Sequence, residues 1–465
     1  MNGSRDLVVL GAGPAGLAAA WRAAQRGLKV TLLERADRVG GLAGSFEIAG
    51  LRVDHGSHRL HPSTPPTLIA DLRGMLGPDL QTRPRKGRLR IADRWVGFPL
   101  QAAELARVLP ASMVAKVARE SVTAPLRRAK DDTYASVLKA GLGPTLYDSV
   151  YGPYAEKLWG LPGDRISGVQ ARRRVSADTA WKIAARIVAP NRGDALGRFF
   201  YYPRRGFGQI VESLADAAVT EGAEIRLEAE VDSVRVFENE VVVGTQDGDS
   251  VSARYAFSTL PLPVLARIGR PAPSLADIES AARLRFRAML LVYLVHGGGR
   301  WTGFDAHYIP TRETPITRIS EPTNYRDSAD DPADRSVLCA EIPCGMTDEV
   351  WGLDDESLGD LVDEALARTG LPAVNRVHVE SRRLGQVYPV YRVGFEDDLA
   401  GVDSWARMLR RVVTFGRQGL FAHDNTHHAL VMAYDAVDAL RDDGRFDRYA
   451  WTAARQRFQT HVVED

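Results

Sequence analysis

Residues Leu7 to Leu10 form an unbroken apolar run, and "KVTLLE" at residues 29–34 forms a second. Short apolar runs bounded by turn residues predict strands buried on both faces, as in a parallel sheet. Between them, "LAAAWRAAQRG" repeats apolar residues at helical spacing and stops at Gly27, which predicts one helix. The chain therefore opens on a βαβ unit.

Further along, "LQAAELARVLPASMVAKVARESVTAPLRRA" (100–129) carries apolar residues at helical spacing with basic residues between them. Two prolines break it, so the pattern predicts short packed helices; the basic face leaves contact with a membrane or lipid substrate open. "LRFRAMLLVYLVHG" (284–297) and "SVLCAEIPCG" (336–345) read as strands of an antiparallel sheet. "DESLGDLVDEALARTGL" reads as an amphipathic surface helix ending at Gly370.

Composition narrows the class. With 465 residues, the chain is long enough for more than one core, and 45% hydrophobic residues is ordinary for a globular protein. A net charge of +1 supplies no field to draw in nucleic acid. Two cysteines exclude a disulfide framework and a cysteine-rich metal site, and fit a reducing cytoplasm. No secretory leader and no apolar stretch long enough to span a membrane is expected. No metal site is expected: His427 and His428 are adjacent on a helix and point in different directions. H-E-x-x-H, P-loop and G-x-S-x-G patterns are absent.

The turn between the first strand and helix carries the chemistry. Gly11, Gly13 and Gly16 stand at G-x-G-x-x-G spacing, followed by the acid Glu34 about 20 residues on. Gly11 permits the tight turn, Gly13 the approach of a pyrophosphate, and Gly16 close packing of helix on strand. The acid suits a ribose with a free 2′-hydroxyl. A dinucleotide is the expected ligand, and the turn alone leaves FAD and NAD open.

"ERADRVGGLAGSF" then places Arg35, Gly40, Gly41 and Leu42 just past the acid. This resembles the R-x-G-G extension of the FAD-dependent amine oxidase superfamily. A second glycine pair beside the first turn suits a longer, folded-back dinucleotide. "VDHGSHRLHPS" (53–63) is similar to the segment that passes the flavin ring in protoporphyrinogen-oxidase-like proteins and UDP-galactopyranose mutases. "YDSVYGPYAEKLWGLPGDRIS" (147–167) resembles a segment shared by both. The stretch at 201–234 resembles the superfamily's return to the FAD domain, and "VVTFGRQGLFAHDNTHHALVMAYDAVDAL" (412–440) its C-terminal FAD motif.

The resemblance implies an α/β fold with a discontinuous Rossmann-like FAD-binding domain of glutathione-reductase type at 1–95, 200–265 and 385–465. It further implies a helical insert at 96–199 and a substrate sheet at 266–384. FAD would be non-covalent, held by Gly11, Gly13, Pro14, Ala15 and Gly16 in the first turn and by Glu34, Arg35, Gly40, Gly41 and Leu42 after the second strand. Gly56, Ser57 and His58 would pass the ring, Val231 would meet the adenine, and Gly416, Arg417 and Asn425 would close the site.

Two reactions fit. One is a flavin oxidoreductase acting on an organic metabolite, with oxygen, a quinone or a reductase as acceptor. The other is a mutase-like isomerase using reduced FAD on a nucleotide sugar, although "GRQGLFAHDNTHHA" lacks the tyrosine-rich run of the mutases. His58 and Arg59 are the catalytic candidates; His55, His61 and His423 share the flavin-facing segments. Guanidinium groups bind phosphate or carboxylate, so Arg172, Arg173, Arg174, Arg204, Arg205, Arg318, Arg326 and Arg392 are weighed together as one anionic site, walled by Tyr325, Tyr388 and Tyr391. Arg174, Arg318, Tyr325, Tyr391 and Arg392 are the substrate-binding candidates, for a small molecule that is phosphorylated or nucleotide-linked.

Overall fold

The computed structural model describes residues 5–99, 102–174 and 198–463. The βαβ unit forms as its pattern dictates. The strand Arg5–Leu10 pairs in parallel with Val30–Leu33 and, on its other side, with Ser250–Ser258. Leu7, Val8, Val9 and Leu10 have no exposed surface, which is why the run is apolar on both faces. The intervening helix Pro14–Gln25 begins with proline at its first position, and Gly27 follows at φ +78°.

The sheet built on this unit has eight strands. Glu224–Arg226 extends the parallel part, and Val412–Thr414 adds in parallel to Ser250–Ser258. An antiparallel meander of Val231–Val236, Val241–Thr245 and Ser250–Ser258 lies beyond. Strands from distant parts of the chain thus share one core with the helices Pro14–Gln25, Gln209–Thr220 and Thr426–Asp438.

A second sheet of seven strands is ordered Arg376–Pro389, Phe286–Gly297, Arg335–Cys344, Arg318–Ser320, Ala306–Tyr308, Gly87–Ile91, Arg94–Phe98. Its long central strands pair antiparallel, as their apolar runs predict. The hairpin at 87–98, which straddles the expected boundary at 95 between the FAD-binding segment and the helical insert, joins this sheet. Gly87, Arg88 and Leu89 pair in parallel with Ala306, His307 and Tyr308, a contact across more than two hundred residues that no local pattern announces.

The insert is helical where described: Ala102–Val108, Ala111–Thr123 and Tyr134–Leu142 among others, with Pro110 at the break. Residues 175–197 of the insert lie outside the described residues. Among the described residues, no helix is long and apolar enough to cross a membrane. Asp355–Thr369 is the expected surface helix, closed by Gly370 at φ +68°.

Candidate active site

Three glycine turns meet at the start of the first helix. Gly11 sits at φ +100°, and a side chain there would come 2.6 Å from the Thr259 hydroxyl. At Gly16 a Cβ would lie 1.9 Å from the Gly11 carbonyl oxygen, so helix and strand touch only because that atom is missing. Gly13 differs from both. Its φ of −74° suits any residue, and a Cβ there meets no protein atom within 4 Å. Neither strain nor packing calls for glycine at this position, so the open space beside it is a cradle for something else.

Gly40 and Gly41 bring a second turn against the first, with the Gly41 Cβ position 3.4 Å from the Gly13 Cα. Gly416, at φ +80°, closes from the C-terminal side, where a Cβ would lie 3.1 Å from the Ala15 methyl. No acidic residue occupies the first turn of the helix Pro14–Gln25, whose positive end therefore faces the cradle unopposed. Glu34 accepts from the amides of Ala12 at 2.7 Å and Ala36 at 2.9 Å, which ties the end of the second strand to the first turn. This donor set fits the diphosphate and ribose of a dinucleotide. Pro14 and Ala15 lie on the helix end, Arg35 is exposed beside Glu34, and Val231 starts its strand half-buried.

A cleft of about 1000 Å³, its open mouth included, lies against the second sheet, whose Met289, Leu291, Arg318, Glu341 and Tyr388 line it. Leu42, Gly56, Ser57, His58, Arg417 and Asn425 line it. His58 lies 3.0 Å from the His55 carbonyl oxygen through Nε2 and stacks on Phe207. Burial holds the His58 imidazole below its usual range and, with His58 beside it, pushes His55 down to about 4.

A buried network fixes the Gly56–Arg59 segment. The Ser57 amide donates to Glu341 at 2.7 Å, and Arg318 grips the same carboxylate with contacts of 2.8 to 3.1 Å. Arg59 donates to the hydroxyls of Tyr308 at 3.1 Å and Tyr325 at 3.4 Å, and pairs with buried Asp305 at 3.2 Å. Tyr325 in turn bonds to the Ser57 hydroxyl.

The candidate residues divide. Arg59, Arg174 and Arg318 line the cleft, as does Tyr388. Tyr325 and Tyr391 are buried in the packing behind it; Tyr391 lies flat on Phe395 at 4.2 Å and donates to the Phe421 carbonyl. Arg392 pairs with Asp398, Arg172 with Asp132, Arg204 with Asp79 and Asp330, and Arg326 with Asp331. The arginines therefore do not form one site, because each of these has a local carboxylate partner. Glu341, Asp305, Tyr308 and Arg85 were not found from sequence. Glu341 left one signal, as the lone acid in an otherwise apolar strand whose last nine residues are buried.

A further group of Asp424, His428 and His461 lies behind the C-terminal helix mouth with its ligand-type atoms within 4.8 Å of one another. Arg173 already pairs with Asp424 at 3.2 Å, and the two imidazoles stack face to face at 4.1 Å. Face-to-face rings do not aim two in-plane lone pairs at one ion, so the group reads as a charge cluster.

A two-part α/β molecule with a dinucleotide cradle opening onto a polar cleft defines a flavoprotein or a related dinucleotide enzyme. Residues 14–428 match the flavin containing amine oxidoreductase family, and the chain belongs to it. It is 29% identical over 275 residues to mouse lysine-specific histone demethylase 1B, covering 57% of this chain and 31% of that protein. It is 28% identical over 297 residues to the phytoene dehydrogenase of Streptomyces griseus, covering 56% of this chain and 55% of that one. The chain thus spans about a third to about half of the length of these relatives. Its fold is that of reduced UDP-galactopyranose mutase, with a TM-score of 0.77 at 20% identity over 94% of this chain and 93% of the other.

Proposed function

We propose that this chain dehydrogenates an anionic organic metabolite bound in the cleft against the second sheet. The carrying observation is the charge of the cleft wall. Among the described residues, Arg59, Arg85, Arg174, Arg318 and Arg417 line it beside the acid Glu341; Arg318 pairs with Glu341 and Arg59 with Asp305 behind the wall. Tyr308, Phe199, Phe200 and Tyr388 supply aromatic walls. A carboxylate or phosphate on a partly apolar molecule complements such a surface.

FAD, when bound, supplies a two-electron acceptor for substrate oxidation. Gly11 to Gly16, Gly40, Gly41 and Gly416 would hold its diphosphate through backbone amides, and Glu34 its ribose. Gly56, Ser57 and His58 would border its ring, with Arg417 and Asn425 at the C-terminal turn. The segments 1–95, 200–265 and 385–465, less the hairpin at 87–98, would make up the FAD-binding part. The reduced enzyme would pass its electrons to oxygen, a quinone or a separate reductase.

Anaerobic mixing of the oxidised holoenzyme with phosphorylated and carboxylated alcohols and amines tests this. The expected result is loss of the visible flavin absorbance with an anionic compound and none with its neutral analogue. Turnover of UDP-galactopyranose only by dithionite-reduced enzyme, with no acceptor consumed, would establish the isomerase instead and overturn the proposal.

A further inference from the structure

The helix Ala111–Thr123 carries apolar residues on two opposite sides. Met113 and Val117 point inward and pack with Ile91, Val96 and Leu109. Residues three or four apart share a helix side, and Ala111, Ala115, Ala118 and Val122 make the other stripe, all exposed. The short turn Ala124–Leu126 prolongs it with Pro125 and Leu126. Val122 is 79% exposed and Leu126 84%. The outer side of a surface helix is ordinarily polar, so packing within the chain does not account for this face.

Its flank is cationic. Lys116 and Arg119 stand beside the stripe on the helix, and Arg128 and Lys130 follow the turn; all four are exposed. None has a carboxylate partner among the described residues. The acids of this stretch are committed elsewhere. Glu120 is half-buried and accepts from the Thr145 amide at 3.1 Å and hydroxyl at 2.7 Å. Asp131 accepts from the Thr133 hydroxyl at 2.7 Å, and Asp132 pairs with Arg172 at 2.6 Å. Exposed arginines in other parts of the chain do find acids, as Arg312 finds Glu156, Arg368 Glu364 and Arg441 Asp447. A chain of net charge +1 thus leaves four cations unmatched on and just past one apolar ridge.

We propose that this face, Val122 and Leu126 with the four cations, docks the protein on a membrane surface rich in anionic headgroups. Charge complementarity selects that occupant. A second copy of the chain, related by a two-fold axis, would set the same cations against one another. A nucleic acid would match the cations and leave Val122 and Leu126 uncovered. A bilayer interface serves both: headgroup phosphates take the guanidinium and ammonium groups, and the acyl boundary takes the apolar side chains. At 13 residues the helix is about 20 Å long, short of the hydrocarbon core of about 30 Å, so it lies along the surface. The docking is independent of what the cleft binds.

The test floats the flavin-loaded protein with vesicles of phosphatidylcholine alone and of phosphatidylcholine with about one-third phosphatidylglycerol. The protein should rise with the anionic vesicles at about 0.1 M salt and stay behind with the neutral ones. At about 1 M salt the screening length falls from about 10 Å to about 3 Å, and the protein should be released. Inorganic phosphate at matched ionic strength should not displace it. Each cation replaced by glutamine, as in Arg119→Gln or Arg128→Gln, should lower the partition coefficient about fivefold. Val122→Ser combined with Leu126→Ser should lower it about tenfold or more. These side chains are exposed, so the variants should keep wild-type circular dichroism and flavin content. Both native cysteines are buried, so Leu126→Cys can be labelled alone with an environment-sensitive dye. Its emission should shift to the blue on anionic vesicles, while a label at exposed Tyr449→Cys should not respond. Equal recovery with neutral vesicles, no recovery at about 0.1 M salt, or recovery unchanged by the double serine substitution overturns the proposal. So does a dimer in sedimentation velocity that the same double substitution dissociates, which would assign the face to a second copy.

Discussion

The contact between Arg318 and Glu341 holds the Gly56–Arg59 segment in place through Ser57. Glu341 is 4% exposed and receives Arg318 and the Ser57 amide. Glu341→Leu strips the partner from a buried cation, at about 3–5 kcal/mol. It also orphans the Ser57 N–H, at about 1–3 kcal/mol. The sum approaches the whole stability of a typical domain, about 5–15 kcal/mol. Arg318→Met alone leaves Glu341 charged but still accepting from Ser57, at about 3–5 kcal/mol. The double substitution removes both charges and leaves only the orphaned amide, so it should cost less than Glu341→Leu alone. Urea unfolding of the flavin-loaded protein, followed by circular dichroism and flavin fluorescence, gives all three values. If the single costs simply add to the double within about 0.5 kcal/mol, the two side chains are not coupled and the network argument fails.

Gly13→Val should leave the flavin-free protein as stable as wild type, since its Cβ meets nothing within 4 Å, yet abolish flavin retention on purification; Gly16→Ala should destabilise the protein itself, since its Cβ would overlap the Gly11 carbonyl. Stability should fall below about pH 6.5. His55 is pushed down to about 4 and His307 to about 3, mainly by burial, so the unfolded chain takes up protons that the folded one refuses. Their contribution is full above the unfolded value and is lost on acidification, at up to about 1.4 kcal/mol per pH unit for each group. Urea midpoints at successive pH values check this, and a flat profile from neutral to about pH 5 would contradict it.

What the sequence disclosed and what it withheld follow from how far each determinant reaches along the chain. The βαβ unit was legible because strand burial, helical periodicity and glycine geometry all act within the same short stretch, from Leu7 to Glu34. The cleft was not, because it is assembled from contacts such as Ser57 to Glu341 and Gln170 to His423, each spanning more than two hundred residues. The arginines show the difference most clearly. Arg172, Arg204, Arg326 and Arg392 look alike in sequence, but each has a carboxylate at hand, and a matched guanidinium has little left to offer a ligand. Arg318 is matched too, yet it lines the cleft, because its partner Glu341 sits in a strand that faces the Gly56–Arg59 segment. Residue type alone therefore could not sort these side chains. The local clue that could have done so was the acid rather than the base: a carboxylate at Glu341, alone in a buried strand, requires a buried cation and a donor to satisfy it. Following such an acid to its partners leads from the apolar pattern of one sheet to the polar wall of the cleft against it.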